Sequence, residues 1–182
     1  MKKNLIILFF FLSIVETSAS IKNKIIQNLE NTDNLTFNFE QNINGKTQNG
    51  NCVLSFQKKI FCQYNLKNNK ILVSNGKSIV IKTSASYYLY PLERTPLNLI
   101  LNKDFLLKKI KILNERKIDD KFINFRFFEN DFEINLFFDF NDYNLIGWQT
   151  TDIYQNLSIT FLSSVKKNQQ LKDDLFNLPK QN

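Results

Sequence analysis

Phe132-Glu133-Ile134-Asn135-Leu136-Phe137-Phe138-Asp139-Phe140 is the stretch that decides how this chain folds. Positions 132, 134, 136, 138 and 140 are all apolar, and a pleated strand sends alternate side chains to opposite faces. The run therefore has one apolar wall and one wetter wall. Leu35-Thr36-Phe37-Asn38-Phe39-Glu40-Gln41 repeats the pattern, and so does Leu157-Ser158-Ile159-Thr160-Phe161. Fifteen of the 18 phenylalanines follow residue 20, mostly in such runs. The chain predicts an antiparallel sheet with a broad aromatic face. What covers that face decides the function.

At 182 residues the chain is long enough for one domain with a substantial core. Its first twenty residues read as a secretory signal peptide: Lys2 and Lys3, an apolar stretch from Leu5 to Val15, then the small residues Ser18-Ala19-Ser20 at a cleavage point near Ser20. The apolar stretch is too short to span a membrane as a helix. The mature domain is then 21–182, exported and free of a lipid anchor, because no cysteine sits at the cleavage point. Removing two lysines and one glutamate with the signal lowers the net charge from +7 to +6. The lysines are scattered and no RNA-binding signature accompanies them, so the basic balance predicts no nucleic-acid partner. It reads as a solvated basic surface or as affinity for anionic lipid headgroups or an acidic protein.

Cys52 and Cys62 are the two cysteines, in an oxidising destination that favours a disulfide. The bond requires a strand register that sets 52 opposite 62, whereas a two-residue turn at Lys58-Lys59 sets Cys62 opposite Ser55. The chain has no histidine, which removes the usual general base and the commonest metal ligand. No phosphate loop, nucleophile elbow or marked carboxylate pair is present. The expectation is no enzyme, no metal and no cofactor.

Ile21, Ile25, Ile26 and Leu29 recur at helical spacing and predict a helix over 21–31. Strands follow over 35–43, 51–57 and 60–66. Asn75-Gly76 marks a two-residue hairpin turn between 70–74 and 77–83, with positive φ expected at both positions. A strand over 86–90 ends at Pro91. Thr95-Pro96 looks like an N-cap and first helical position, opening a helix whose Leu97, Leu99, Ile100 and Leu101 must lie on an apolar surface. Further strands are predicted over 108–116, 121–129, 131–140, 144–152 and 154–163, with an apolar clasp at Leu175-Phe176-Asn177-Leu178-Pro179. The sum is around ten strands in meander order with two short helices. Such a sheet can close into a barrel, fold into a sandwich, or stay half-open with helices in its mouth.

Four segments, in order, resemble the outer-membrane lipoprotein carrier (LolA) family. Phe39-Glu40-Gln41 is similar to the family's F-x-Q, and Leu72-Val73-Ser74-Asn75-Gly76-Lys77 to its V-S-D-G-K hairpin. Pro91-Leu92-Glu93-Arg94-Thr95-Pro96-Leu97 is similar to its P-L-x-x-T-P-L segment, and Phe176 to Pro179 to its closing F-x-x-P. The resemblance implies a mainly β fold, an unclosed antiparallel half-barrel with a helical lid over an apolar cavity. It implies a monomeric periplasmic carrier of lipoprotein acyl chains. Its partners are an ATP-driven (ABC-type) release complex in the inner membrane and an acceptor, or the bilayer itself, at the outer membrane. One departure concerns the hairpin at Gln57-Lys58-Lys59, where many members carry an Arg-Pro whose arginine holds the lid and whose hairpin meets the release complex. Lys58 and Lys59 are the only candidates here for partner contact, and no residue is assigned to the latch.

On this reading Phe37, Phe39, Phe125, Phe127, Phe138 and Phe140 line the cavity, subject to the strand register. Leu97, Ile100 and Leu101 form the lid, and Trp148 serves packing alone. Simple core packing accounts for part of the phenylalanine stripe. A lipid sensor, or a carrier of another amphiphile, is the competing function.

Overall fold

The computed structural model describes residues 20–151 and 155–181. The signal segment falls outside them, apart from Ser20. That serine caps α1 (Ile21–Glu30), its hydroxyl oxygen accepting from the Asn23 N–H at 3.2 Å. Ile25 and Leu29, four apart, are the helix's buried positions.

Strands β1 (Asn34–Ile43), β2 (Lys46–Ser55), β3 (Lys59–Tyr64), β4 (Ile71–Asn75), β5 (Ser78–Lys82) and β6 (Tyr87–Pro91) form one antiparallel meander. A second comprises β7 (Arg116–Ile118), β8 (Phe122–Glu129), β9 (Phe132–Asp139), β10 (Leu145–Thr151) and β11 (Leu157–Lys167). The two join through the antiparallel pair β1–β11, giving the order β6-β5-β4-β3-β2-β1-β11-β10-β9-β8-β7. Meander order thus holds within each half, while the seam pairs strands from opposite ends of the domain. The sheet of 11 strands is not closed, since β6 and β7 remain as its two edges.

Two departures from the sequence reading have local causes. β2 begins at Lys46 rather than 51, because Asn44-Gly45 (φ 48° and 83°) forms the tight turn that pairs Ile43 with Lys46. Lys46 to Asn49 are polar throughout and carry no alternation to announce a strand. At Asn75-Gly76 only the glycine has positive φ. Asn75 instead accepts from the Lys77 and Ser78 N–H groups, each at 3.0 Å, as a side-chain-closed turn.

The strand expected over 108–116 is the larger error. Residues Lys103–Ile112 form helix α3, capped by Asn102, whose side chain accepts from Phe105 N–H at 3.2 Å. Ile110 and Ile112 alternate like a strand, but Leu106 and Ile110 share a helix face and are fully buried. Ile112 is left 76% exposed. Between β6 and α3 lie a 3-10 turn (Leu92–Arg94) and the single-turn helix α2 (Leu97–Ile100). Thr95 does not cap α2; its hydroxyl donates back to the Leu92 carbonyl at 2.8 Å.

The core is one cluster in which Ile25, Leu29, Leu101, Leu106 and Ile110 of the helical segments meet Leu54, Phe125 and Phe138 of the sheet. All helices therefore lie on one face. β11 carries an unexpected inversion. Ser158, Thr160 and Leu162 point to the helix-covered side, while Leu157 and Phe161 are solvent-exposed, Phe161 by 44%. The apolar positions of Leu157-Ser158-Ile159-Thr160-Phe161 thus form the outer wall.

Candidate functional site

The helices do not fill the whole inner face. Beside them a cavity of about 510 Å³ remains open. Tyr90 of β6 and Trp148 of β10 both line it, although seven strand spacings separate β6 from β10 in the sheet order. In a flat sheet that separation would be roughly 34 Å, so one cavity touching both requires the sheet to curl.

Period two along β1 brings Phe37, Phe39, Gln41 and Ile43 to the cavity. Phe37 meets Trp148 edge-on at 6.4 Å between ring centroids, and Phe39 meets Tyr64 edge-on at 5.0 Å. Gly50, opposite Phe39 on β2, leaves the room for this: a Cβ there would stand 2.9 Å from the Phe39 ring and 2.0 Å from the Gln63 carbonyl oxygen. Ile60, Leu72, Ile79 and Ile81 extend the apolar wall across β3 to β5.

Cys52 and Cys62 also belong to this wall. A three-residue loop over 56–58, with Lys58 at φ 65°, pairs Ser55 with Lys59 and so Cys52 with Cys62. Their Cα atoms are 4.1 Å apart and the sulfurs are bonded. The two-residue turn at Lys58-Lys59 does not form.

Leu97 and Ile100 roof the cavity with Thr95 and Pro96. Leu101 is fully buried beneath the roof but does not line the cavity. The roof is tied down by main chain. The Lys58 N–H donates to the Leu101 carbonyl at 3.2 Å, and Gln57 bridges to Asn102. The Ser74 hydroxyl donates to the Lys58 carbonyl at 3.1 Å, holding the turn from behind. No cationic side chain is needed for this latch.

Phe125, Phe127, Phe138 and Phe140 lie elsewhere. Phe125 and Phe138 are fully buried against each other, ring centroids 5.9 Å apart, beneath the helices. Phe127 meets Phe105 of α3, and Phe140 lies partly buried beneath the Lys117 ammonium. These four occupy the half of the sheet that α1 and α3 have already covered. Trp148, expected to serve packing alone, does line the cavity.

Sequence reasoning missed the polar group at one end: Gln41, Tyr64, Thr150, Ser158 and Thr160. Period two from Phe37 and Phe39 would have found Gln41; the inverted facing of β11 hid the two hydroxyls. Gln41 Nε2 donates to Ser158 Oγ (3.3 Å) and Thr160 Oγ1 (3.1 Å), while Tyr64 Oη donates to Gln41 Oε1 (3.2 Å). Burial pushes the Tyr64 phenol up to about 12. Lys70 Nζ sits 4.0 Å over the Tyr64 ring and donates to Gln48 Oε1 at 2.8 Å; desolvation lowers its pKa.

Among the described residues no cluster of His, Cys, Asp or Glu converges as a metal site. The site thus offers an apolar hollow, a backbone-tethered cover and a short row of neutral polar groups.

No curated protein matches the sequence. Among solved structures, an uncharacterized conserved protein from Thermus thermophilus is similar at TM-score 0.51 and 8% identity, over 88% of this chain and 93% of that one. A LolA superfamily protein from Nitrosomonas europaea aligns at TM-score 0.49 and 8% identity, over 87% and 96%. The lipoprotein LppX of Mycobacterium tuberculosis aligns at 0.43 and 11%, over 84% and 98%. The model of the outer membrane lipoprotein carrier protein LolA matches residues 30–179, nearly the whole of the expected mature domain, and the chain therefore belongs to the LolA family.

Proposed function

We propose that this protein is a periplasmic carrier that shields the acyl chains of lipoproteins between the inner and outer membranes. On this reading it is exported by its first twenty residues and loaded by an inner-membrane ABC-type release complex. It unloads to an outer-membrane acceptor or to the bilayer. It performs no catalysis and uses no cofactor. The observation that carries the proposal is the hollow itself: an apolar cavity of about 510 Å³ that the protein's own side chains leave open beneath a small helical cover.

A buried CH₂ is worth about 0.8 kcal/mol, so a chain of roughly fifteen carbons represents on the order of 10 kcal/mol of exposure to be avoided. The aromatic walls supply large apolar area with few rotamers to freeze. Release without an energy source requires a cavity weaker than the destination membrane. Competition from the cover for the same surface provides that weakness. Lys58, on the turn that holds the cover, and Lys59, at the start of β3, are the proposed contacts with the release complex.

The volume also admits a second reading. A cavity of about 150 Å³ accepts benzene, or roughly 25 Å³ per carbon, so 510 Å³ takes about twenty carbons. That is one long chain rather than several, which fits a carrier or sensor of a single-chain amphiphile as well as partial enclosure of a lipoprotein. Mass spectrometry of what co-purifies with the protein separates the two. Lipoproteins support the first, and a single-chain lipid such as a lysophospholipid or a fatty acid, recovered without lipoprotein, supports the second. Ile100→Asp places an unpaired charge in the roof and is expected to lower acylated-ligand binding at least tenfold in a pull-down titration. Unchanged binding would remove the cover from the mechanism.

A further inference from the structure

The cavity is not uniformly apolar, and its polar end is built rather than incidental. On β11 the alternation offers Leu157, Ile159 and Phe161 for the inner face, yet the register turns Ser158 and Thr160 inward instead. Shifting the register by one residue would exchange the two sets. Thr160 pairs with Gln41 across the seam and with Trp148 on the other side; Ser158 pairs with Ile43 and Thr150. Two hydroxyls and one amide therefore meet where the halves of the sheet join.

Their hydrogen bonds have a direction. Gln41 donates from Nε2 to both hydroxyl oxygens, and its Oε1 is occupied by the Tyr64 phenol. A hydroxyl that accepts still carries one hydrogen of its own. Both Gln41 N–H donors are thus engaged, while Ser158 and Thr160 each keep a donor at the wall of the cavity. Thr160 is only 3% exposed, so bulk water is a poor partner for it. Tyr64 is held in place by the Lys70 ammonium above its ring.

We propose that Ser158 and Thr160, oriented by Gln41, form a donor subsite for the carbonyl oxygen of an acyl ester or amide. The hydrocarbon tail then runs along β1 toward Phe37 and Ile100. Four residues of strand, about 13 Å, separate Gln41 from Phe37. The chemistry selects a neutral acceptor. The residues that line the cavity are all uncharged, so an ammonium or a carboxylate would lose its hydration there with no opposite charge on the wall to offset it. The inference rests on the cavity being a lipid site and adds which end of the ligand lies where.

The test compares monopalmitoylglycerol, which has an ester carbonyl, with hexadecylglycerol, an ether of the same length without one. Each is titrated against a fluorescent fatty probe bound to the purified protein. The ester is expected to bind about three- to tenfold more tightly, the scale of one added neutral hydrogen bond. Ser158→Ala with Thr160→Val is expected to bring the ester down to the ether's affinity. Equal affinities in the unaltered protein, or a preference that survives both substitutions, would overturn the subsite while leaving the apolar carrier intact. Binding of neither lipid would overturn both readings. If the double variant fails to fold, Ser158→Ala alone and the ester-to-ether ratio of the unaltered protein decide.

Discussion

Tyr64 shows how much one side chain in this cavity depends on its neighbours. Its ring packs on Phe39, its hydroxyl serves Gln41 and a lysine caps its face, so the phenol is buried and holds its proton to about pH 12 instead of the ordinary 10.0. In the unfolded chain the phenol ionises near pH 10. Between the two values the folded state therefore binds more protons, and stability falls as pH rises. Below pH 10 the full contribution is present. Thermal midpoints of the unaltered protein and Tyr64→Phe, followed from pH 9 to 11.5, are expected to converge as pH climbs; parallel curves would show that Tyr64 contributes nothing to the alkaline loss. Gln41 was legible from period two alone, since it stands two residues beyond Phe39. Tyr64 was not, because its place depends on the register of β3 against β2.

At the level of elements, short-range chemistry decided some features and packing decided others. Ser20 and Asn102 cap their helices through their own side chains, whereas Thr95, the cap that the sequence suggested, bonds back to the Leu92 carbonyl. The alternation of Ile110 and Ile112 misled because two apolar residues two apart also arise by chance on a helix, and only the surface under Leu106 and Ile110 breaks the tie. The β2–β3 hairpin depended on a loop one residue longer than a two-residue turn, which sets the cysteines face to face. Their bond closes a loop of sequence separation 10, worth about 2–3 kcal/mol on the chain-entropy account. Urea unfolding of Cys52→Ala/Cys62→Ala should show a loss of that order. A loss well under 1 kcal/mol would mean the β2–β3 ladder and its packing already hold the hairpin. The same hairpin tethers the cover through the Lys58 N–H, so this element links disulfide, cover and proposed partner contact.

Across the whole molecule, the decisive feature is the incomplete coverage of a curled sheet. Helices α1 and α3 cover one half of the inner face and enclose Phe125 and Phe138 as ordinary core; the other half is left to α2 alone. A ligand that occupies the remaining space binds the folded state only, so it stabilises by linkage: about 2.7 kcal/mol at a hundredfold excess over Kd. Monopalmitoylglycerol is expected to raise the thermal midpoint with concentration, and Ile100→Asp to blunt the rise. A midpoint indifferent to saturating lipid would argue that the hollow is closed in solution.

The amino-acid sequence determined, without help, the class of the fold and most strand positions, because alternation and turn residues act over a few positions. It also carried the family motifs from Phe39-Glu40-Gln41 to Pro179. Tertiary structure alone decided which aromatic residues are core and which are cavity wall. Phe37 and Phe138 are both nearly fully buried and both fall in alternating runs; Phe138 packs in the core beneath the helices, whereas Phe37 faces the open cavity that α2 roofs. It decided equally that β11 turns hydroxyls inward and rings outward. Facing is set by pairing with β1, a strand more than a hundred residues away, and no local pattern within β11 records that choice.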